Sequence, residues 1–418
     1  MNTGTIKKHE ILEIMLSEYV SNQINRIIES ELKEHNPYFC DESVVFSFAQ
    51  TVFTCLEDYS KRHQCPDTEK LITIIKEAHS GGNIPPLFIR NTPCDPVETL
   101  LPAENRKGFD YGESEHDRMK LYFYSEWVTW LFATLLNHDA LVHPSEHGGK
   151  NRFHLISPVN NHENLRNVGA STGGGNFYQH NDATVHTEVK NQSDVEERLK
   201  AFKTDLNTTS RRLNKPVETI ISEITCGKFT RVDALLLKGI LNLQTETHIG
   251  TPRLLQKHLE ENSFNKDDIL SLSQMPIAHI AGMADGKISG YVGEINRIIN
   301  LDKDGTIIAT CLNGAENRLI YVGKSDRDQL VFERFLELLR TMPTYKVLLT
   351  SKDLLFIPNS SYGKQTNASH GRGRLTKDEY KIPIGKNKYS RRMICRQYVS
   401  SRMRDNKESR LGEMINGL

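Results

Sequence analysis

The hydrophobic pattern changes period part-way along the chain, and that change limits the folds open to it. In the first 80 residues apolar side chains recur at three- and four-residue spacing: Leu12, Leu16, Tyr19, Ile24, Ile27 and Ile28. This is the spacing of helices with one buried face. Shorter helical patterns follow over 44–59 and 68–79. Gly81-Gly82-Asn83-Ile84-Pro85-Pro86 breaks the pattern, and Leu87-Phe88-Ile89 reads as a first buried strand. Residues 127–136 form another helix with an apolar face. From Phe153 onward the texture is short apolar runs between turns, as at 235–237, 347–349, 354–357 and 393–394. Helical patterns interrupt it at 193–212, 216–224, 254–260 and 328–340. The last of these has Leu330, Phe332, Phe335, Leu336 and Leu339 on its buried side.

This order predicts an α+β chain with a double-stranded β-helix, or jelly-roll, core wrapped by helices. A helical N-terminal section over 1–80 packs on a core domain over 81–418, with a helical insertion at about 189–230. Lys+Arg and Asp+Glu both number 53, so the formal net charge is zero and nothing global points to nucleic acid. No apolar run approaches the ~18 residues that a membrane span needs. The first ten residues are polar, and the seven cysteines form no C-x-x-C pair. A reduced, cytoplasmic protein is expected. The oligomeric state is left open.

His186-Thr187-Glu188 is the leading chemical motif. On a strand, residues two apart point to the same face, so the imidazole and the carboxylate lie side by side. A second histidine from His370-Gly371-Arg372 completes two imidazoles and a carboxylate. Such a set holds one face of an octahedral metal and leaves three positions open. Arg392 offers a fixed bidentate cation for a dicarboxylate. His180-Asn181-Asp182 is a competing H-x-D pair six residues upstream, with the same side-chain alternation. His143-Pro144-Ser145-Glu146-His147 fits an inverted zincin string, but Pro144 and Gly148-Gly149 argue against the helix that motif needs.

Four segments in order, "PPLFIRNTP", "VHTE", "DLLFIPN" with "ASHGRG", and "RRMICRQYV", carry a family likeness from about Pro85 to Val399. The chain resembles the clavaminate synthase-like group of Fe(II)/2-oxoglutarate oxygenases, which includes bacterial hydroxylases of free arginine, lysine and asparagine. The resemblance implies His186, Glu188 and His370 as iron ligands, with His180 and Asp182 out of register in a supporting or loop role. It implies Arg392 as the clamp on the distal carboxylate of 2-oxoglutarate. Thr251 would hydrogen-bond the same carboxylate, with Thr247 as the alternative. Arg396 would bind the substrate α-carboxylate, and polar residues of the 161–175 segment, Asn167 and Ser171 among them, would contact the amino-acid backbone.

The implied activity is hydroxylation of an unactivated C–H of a free amino acid, basic ones included, or of its derivative. Fe(II), 2-oxoglutarate and O2 would be the cofactor and co-substrates, and succinate and CO2 the by-products. The partner would be a small molecule, with neither nucleic acid nor membrane involved. Desaturation or cyclisation with the same cofactors, and a non-catalytic jelly-roll binding protein, are the competing readings. The expanded "SSYGKQTN" turn and the long 189–230 spacer depart from the family and bear on substrate identity.

Overall fold

The structure is a computed structural model that describes residues 11–37, 40–100, 123–141, 152–158, 175–182, 189–226, 232–284, 287–315, 317–360 and 366–402. Its frame is a seven-stranded sheet. The order is Leu12–Met15, Leu87–Arg90, Leu354–Pro358, Ala234–Leu241 and Met393–Ser401, with His138–Ala140 and Phe153–Ile156 both paired to the last. Leu12–Met15 and Leu87–Arg90 run parallel, and the other pairs are antiparallel. The central strand, Ala-Leu-Leu-Leu-Lys-Gly-Ile-Leu, is apolar almost throughout because both of its faces are covered.

Alternation divides these strands between two cores. Leu236, Ile240, Leu354, Phe356, Met393, Cys395 and Val399 face outward into a cluster with the helices. Leu235, Leu237, Leu355, Ile357, Ile394 and Tyr398 face inward. The helices Glu18–Ile27, Glu42–His63, Pro66–His79 and Phe123–Leu135 supply the outer cluster, with Val20, Phe48, Val52, Leu71, Ile75 and Trp127. A four-stranded antiparallel sheet, Tyr345–Val347, Thr247–Gly250, Ser369–Arg372 and Phe177–His180 in that order, closes the inner face. Its Ile249 and Val347 join the inward cluster. The space between the two sheets is therefore walled by apolar side chains, and any polar group facing it is conspicuous.

Three helices, Gln192–Ala201, Leu206–Leu213 and Val217–Cys226, pack through Val195, Leu199, Ile220 and Ile224. They cover a three-stranded sheet of Leu319–Tyr321, Ile277–Ala284 and Lys287–Asn296. Where 193–212 was expected to be one helix, Lys203 takes a positive φ of 55° and Asp205 caps a second helix. Leu12 also departs from its helical reading. Residues 12–15 pair with Leu87–Arg90, and the helix starts only after the Ser17 cap. Backbone pairing at the sheet edge outweighs local periodicity there. Leu330, expected on a buried face, is 67% exposed, whereas Phe332, Phe335 and Leu339 are buried. Among the described residues no helix is long and apolar enough to cross a membrane.

Candidate metal centre

The inner face of the small sheet carries the site. His370 lies opposite Ile249 on one side and opposite His180 on the other. Residues directly opposed across a strand pair share a face. Ile249 belongs to the inward cluster, so both imidazoles point into the space between the sheets. Their ring centroids are 4.2 Å apart. Two residues past His180, just beyond the strand end, Asp182 turns its carboxylate onto them. Oδ1 is 3.2 Å from His180 Nε2, and Oδ2 is 3.6 Å from His370 Nε2. One ligand atom from each of the three lies within 4.8 Å of the other two.

The protonation state suits a cation. His180 Nδ1 sits 2.9 Å from the Tyr178 carbonyl oxygen, so this nitrogen carries the proton and donates it. That leaves Nε2 with its lone pair, buried and without a hydrogen-bond partner. A backbone carbonyl fixing one ring nitrogen while the other faces a metal is the usual arrangement for a histidine ligand. Burial pushes the His370 imidazole down to about 3, helped by His180 and Arg396 and only partly offset by Asp182. Burial alone would raise the Asp182 carboxyl. His370, His180 and Arg396 outweigh that and hold it well below the usual carboxylate range. Two imidazoles and one carboxylate are thus presented together, and this donor set fits a ferrous ion.

Three asparagines fix the ligand segment. Asn359 accepts from Asp182 N at 2.7 Å and donates to Asp182 O at 2.5 Å and to Val232 O at 2.8 Å. Asn181 donates to Asn359 O and Ala368 O and accepts from Leu312 N. Asn367 donates to Thr310 O and Asn359 O. The turn carrying Asp182 is thereby tied to both sheets.

Across the space, Arg392, Ile394, Arg396 and Tyr398 follow the inward phase of the closing strand. Arg396 Nη1 donates to Asp182 Oδ2 at 3.3 Å, and Tyr398 donates its hydroxyl to the same oxygen at 3.2 Å. Arg392 is buried, and its side chain donates from Nε to Asn242 Oδ1 at 3.3 Å. Its backbone N–H donates to Glu379 O at 2.7 Å, and the Glu379 carboxylate in turn accepts from Gln244 N and Thr245 N. Burial pushes the Arg392 guanidinium down to about 10, with Glu379 opposing. Arg372 is pushed to about 9 by burial and by Arg392 beside it. Two buried guanidinium groups near each other, Arg392 lowering Arg372, are a setting suited to an anion.

The residues expected from sequence divide clearly. His370 and Arg396 meet at Asp182, and Arg392 lies near Arg372, two residues along the strand from His370. His186, Glu188, Asn167 and Ser171 lie outside the described residues. Thr251 lies beyond the end of its strand and caps the helix Pro252–Glu261, accepting from Leu254 N at 3.3 Å. Its hydroxyl is thus engaged with the helix, whereas Thr247 is paired opposite Arg372 on the inward phase. Tyr398, Asn242 and the three asparagines went unmarked in the sequence. Their roles rest on long-range hydrogen bonds, which no local spacing in the sequence marks.

No protein-family model and no curated protein matches the chain. Solved structures do. The non-heme iron oxygenase OrfP in complex with Fe and alpha-ketoglutaric acid superposes with a TM-score of 0.58 at 13% identity, over 95% of this chain and 96% of that one. An asparagine oxygenase in complex with Fe(II), 2S,3S-3-hydroxyasparagine and succinate gives 0.58 at 12% identity, over 93% of each chain. The chain shares the fold of these non-haem iron oxygenases. OrfP has also been captured with Fe and L-Arg, and that structure matches at 14% identity with a TM-score of 0.53.

Proposed function

We propose that this chain is an Fe(II)- and 2-oxoglutarate-dependent dioxygenase built on a double-stranded β-helix. It hydroxylates an unactivated C–H of a free amino acid, basic ones included, or of an amino-acid-derived metabolite. The observation that carries the reading is the buried His180–Asp182–His370 cluster, whose ligand atoms all lie within 4.8 Å of one another. On this reading the H-x-D pair at 180–182 takes the place first given to His186 and Glu188.

The bound ion, with 2-oxoglutarate and O2, would supply the oxidising power, releasing succinate and CO2. The protein's task is to bind and orient. His180, Asp182 and His370 would hold the ion on one face. Arg392 would take the distal carboxylate of 2-oxoglutarate, its Nε held by Asn242 so that the terminal nitrogens stay aimed. Thr247, on the same side as Arg372, is better placed to assist than Thr251. Arg396 would orient the carboxylate of an amino-acid substrate near the ion. The apolar wall of Leu237, Ile249 and Ile394 would keep bulk water from the reacting centre.

The test is anaerobic addition of Fe(II) and 2-oxoglutarate, watching for the weak visible charge-transfer band of the chelate. Wild type should show it, and His180→Ala and Asp182→Ala should lose it while His186→Ala keeps it. The opposite pattern would return the metal to the 186–188 pair. A folded wild type with no band would leave a binding protein on an oxygenase fold.

A further inference from the structure

The two oxygens of Asp182 have different surroundings. Oδ1 faces His180 Nε2 at 3.2 Å, and Oδ2 stands farther from its own ligand nitrogen, 3.6 Å from His370 Nε2. Oδ2 is the one that accepts from the Tyr398 hydroxyl, at 3.2 Å, and from Arg396 Nη1, at 3.3 Å. We infer that Tyr398 is a positioning residue: with Arg396 it holds Oδ2 away from the ion, so that Asp182 binds through Oδ1 alone. The inference rests on the metal reading above.

The reason this matters is a count of positions. An octahedral ion with three protein donors keeps three positions, enough for a bidentate oxoacid and O2. A carboxylate that swings to bind through both oxygens takes a fourth. Nothing in a lone carboxylate prevents that swing, since both oxygens carry lone pairs. Two donors on one oxygen, one of them cationic, oppose it, because the swing would break both hydrogen bonds.

Tyr398 is well placed to hold still. It is 2% exposed and belongs to the inward apolar cluster. Its backbone pairs with Leu235, and its carbonyl accepts from Leu141 N at 2.8 Å. The Arg396 guanidinium lies 4.3 Å over its ring, and the His154 ring is 5.4 Å away on another side. A ring fixed on these sides delivers its hydroxyl to a fixed point.

Co(II) serves as the probe, because its visible spectrum reports coordination number without any turnover. The full chain is loaded anaerobically with Co(II), then titrated with 2-oxoglutarate, as wild type, Tyr398→Phe and Arg396→Met. Tyr398→Phe keeps the ring and loses only the hydroxyl. It should retain Co(II) within a few-fold, change the Co(II) spectrum and weaken 2-oxoglutarate about tenfold. Arg396→Met should change the spectrum in the same direction and provides the second reading if the phenylalanine variant folds poorly. Unchanged spectra and 2-oxoglutarate affinity in both variants would overturn the role of Tyr398 while leaving the metal site standing. A wild type that binds no Co(II) would overturn the metal site itself, and this inference with it.

Discussion

Asn359 holds Asp182 from both ends of its backbone, accepting from its N–H at 2.7 Å and donating to its carbonyl at 2.5 Å. The same amide side chain also reaches Val232 O. Removing it strands buried backbone groups, each worth about 1 kcal/mol net and more when left unpaired. Asn359→Ala should therefore cost roughly 2–4 kcal/mol of stability, and metal affinity should fall at least tenfold because Asp182 is no longer aimed. Urea unfolding alongside a Co(II) titration checks both. A variant with wild-type metal affinity would show that the asparagine frame does not position the ligand.

Arg392 should matter for the co-substrate and not for the ion. Losing one partner of a buried, hydrogen-bonded charge pair costs on the order of 2–5 kcal/mol. Arg392→Leu should then weaken 2-oxoglutarate by about thirtyfold or more, with Co(II) affinity nearly unchanged. Arg392→Lys should fall between, since an ammonium cannot match a carboxylate in two places. Equal 2-oxoglutarate affinity in wild type and the leucine variant would place the oxoacid elsewhere.

The sequence made part of this arrangement legible. Alternation along residues 392–398 put Arg392 and Arg396 on one face, and the closing strand Met393–Ser401 carries that alternation. His370 was identifiable from its motif. The choice between His180-x-Asp182 and His186-x-Glu188 was not, because the spacing of histidine and acid is identical. His180 pairs opposite His370 and Asn359 reaches Asp182, contacts made at long range that no local spacing shows, while His186 and Glu188 lie outside the described residues. Thr251 stands just past a strand end that the local pattern did not mark. The strand stops at Gly250, so the next residue becomes a helix cap. Local pattern rarely fixes such ends.

Glycines near the site should differ sharply in what they tolerate. A Cβ on Gly371 would sit 2.4 Å from Phe177 O, across the pair that sets His370 against His180. Backbone cannot yield there without separating the strands, so Gly371→Ala should lose Co(II) binding. A Cβ on Gly373 meets nothing closer than His248, at 3.9 Å, so Gly373→Ala should melt and bind like wild type. Circular dichroism melting with a Co(II) titration tests the contrast, and a Gly371→Ala protein with normal affinity would contradict it.

Acid should destabilise the fold in a defined window. Burial lowers His79 and His279 from 6.5 to about 4. Between those values the unfolded chain takes up protons that the folded chain refuses, so stability falls as pH drops from about 6.5 to about 4 and then levels for these groups. The loss is at most roughly 3 kcal/mol per histidine. His79→Gln can retain the hydrogen bond that Nε2 makes with Leu135 O. It should show a shallower decline of melting temperature across this window. An unchanged slope would mean that His79 titrates normally in the folded state.

The opposition of His180 and His370 joins parts of the chain that are remote in sequence and belong to different strands of the small sheet. An ion held between them would act as a clasp on the tertiary structure, closing a loop that includes the helices Gln192–Ala201, Leu206–Leu213 and Val217–Cys226. Such a clasp adds stability only in proportion to the free ion available, about 2.7 kcal/mol at a hundred times the dissociation constant. The folded lifetime of this protein would then follow the iron supply of its surroundings, and starvation for the metal would reach the fold as well as the chemistry.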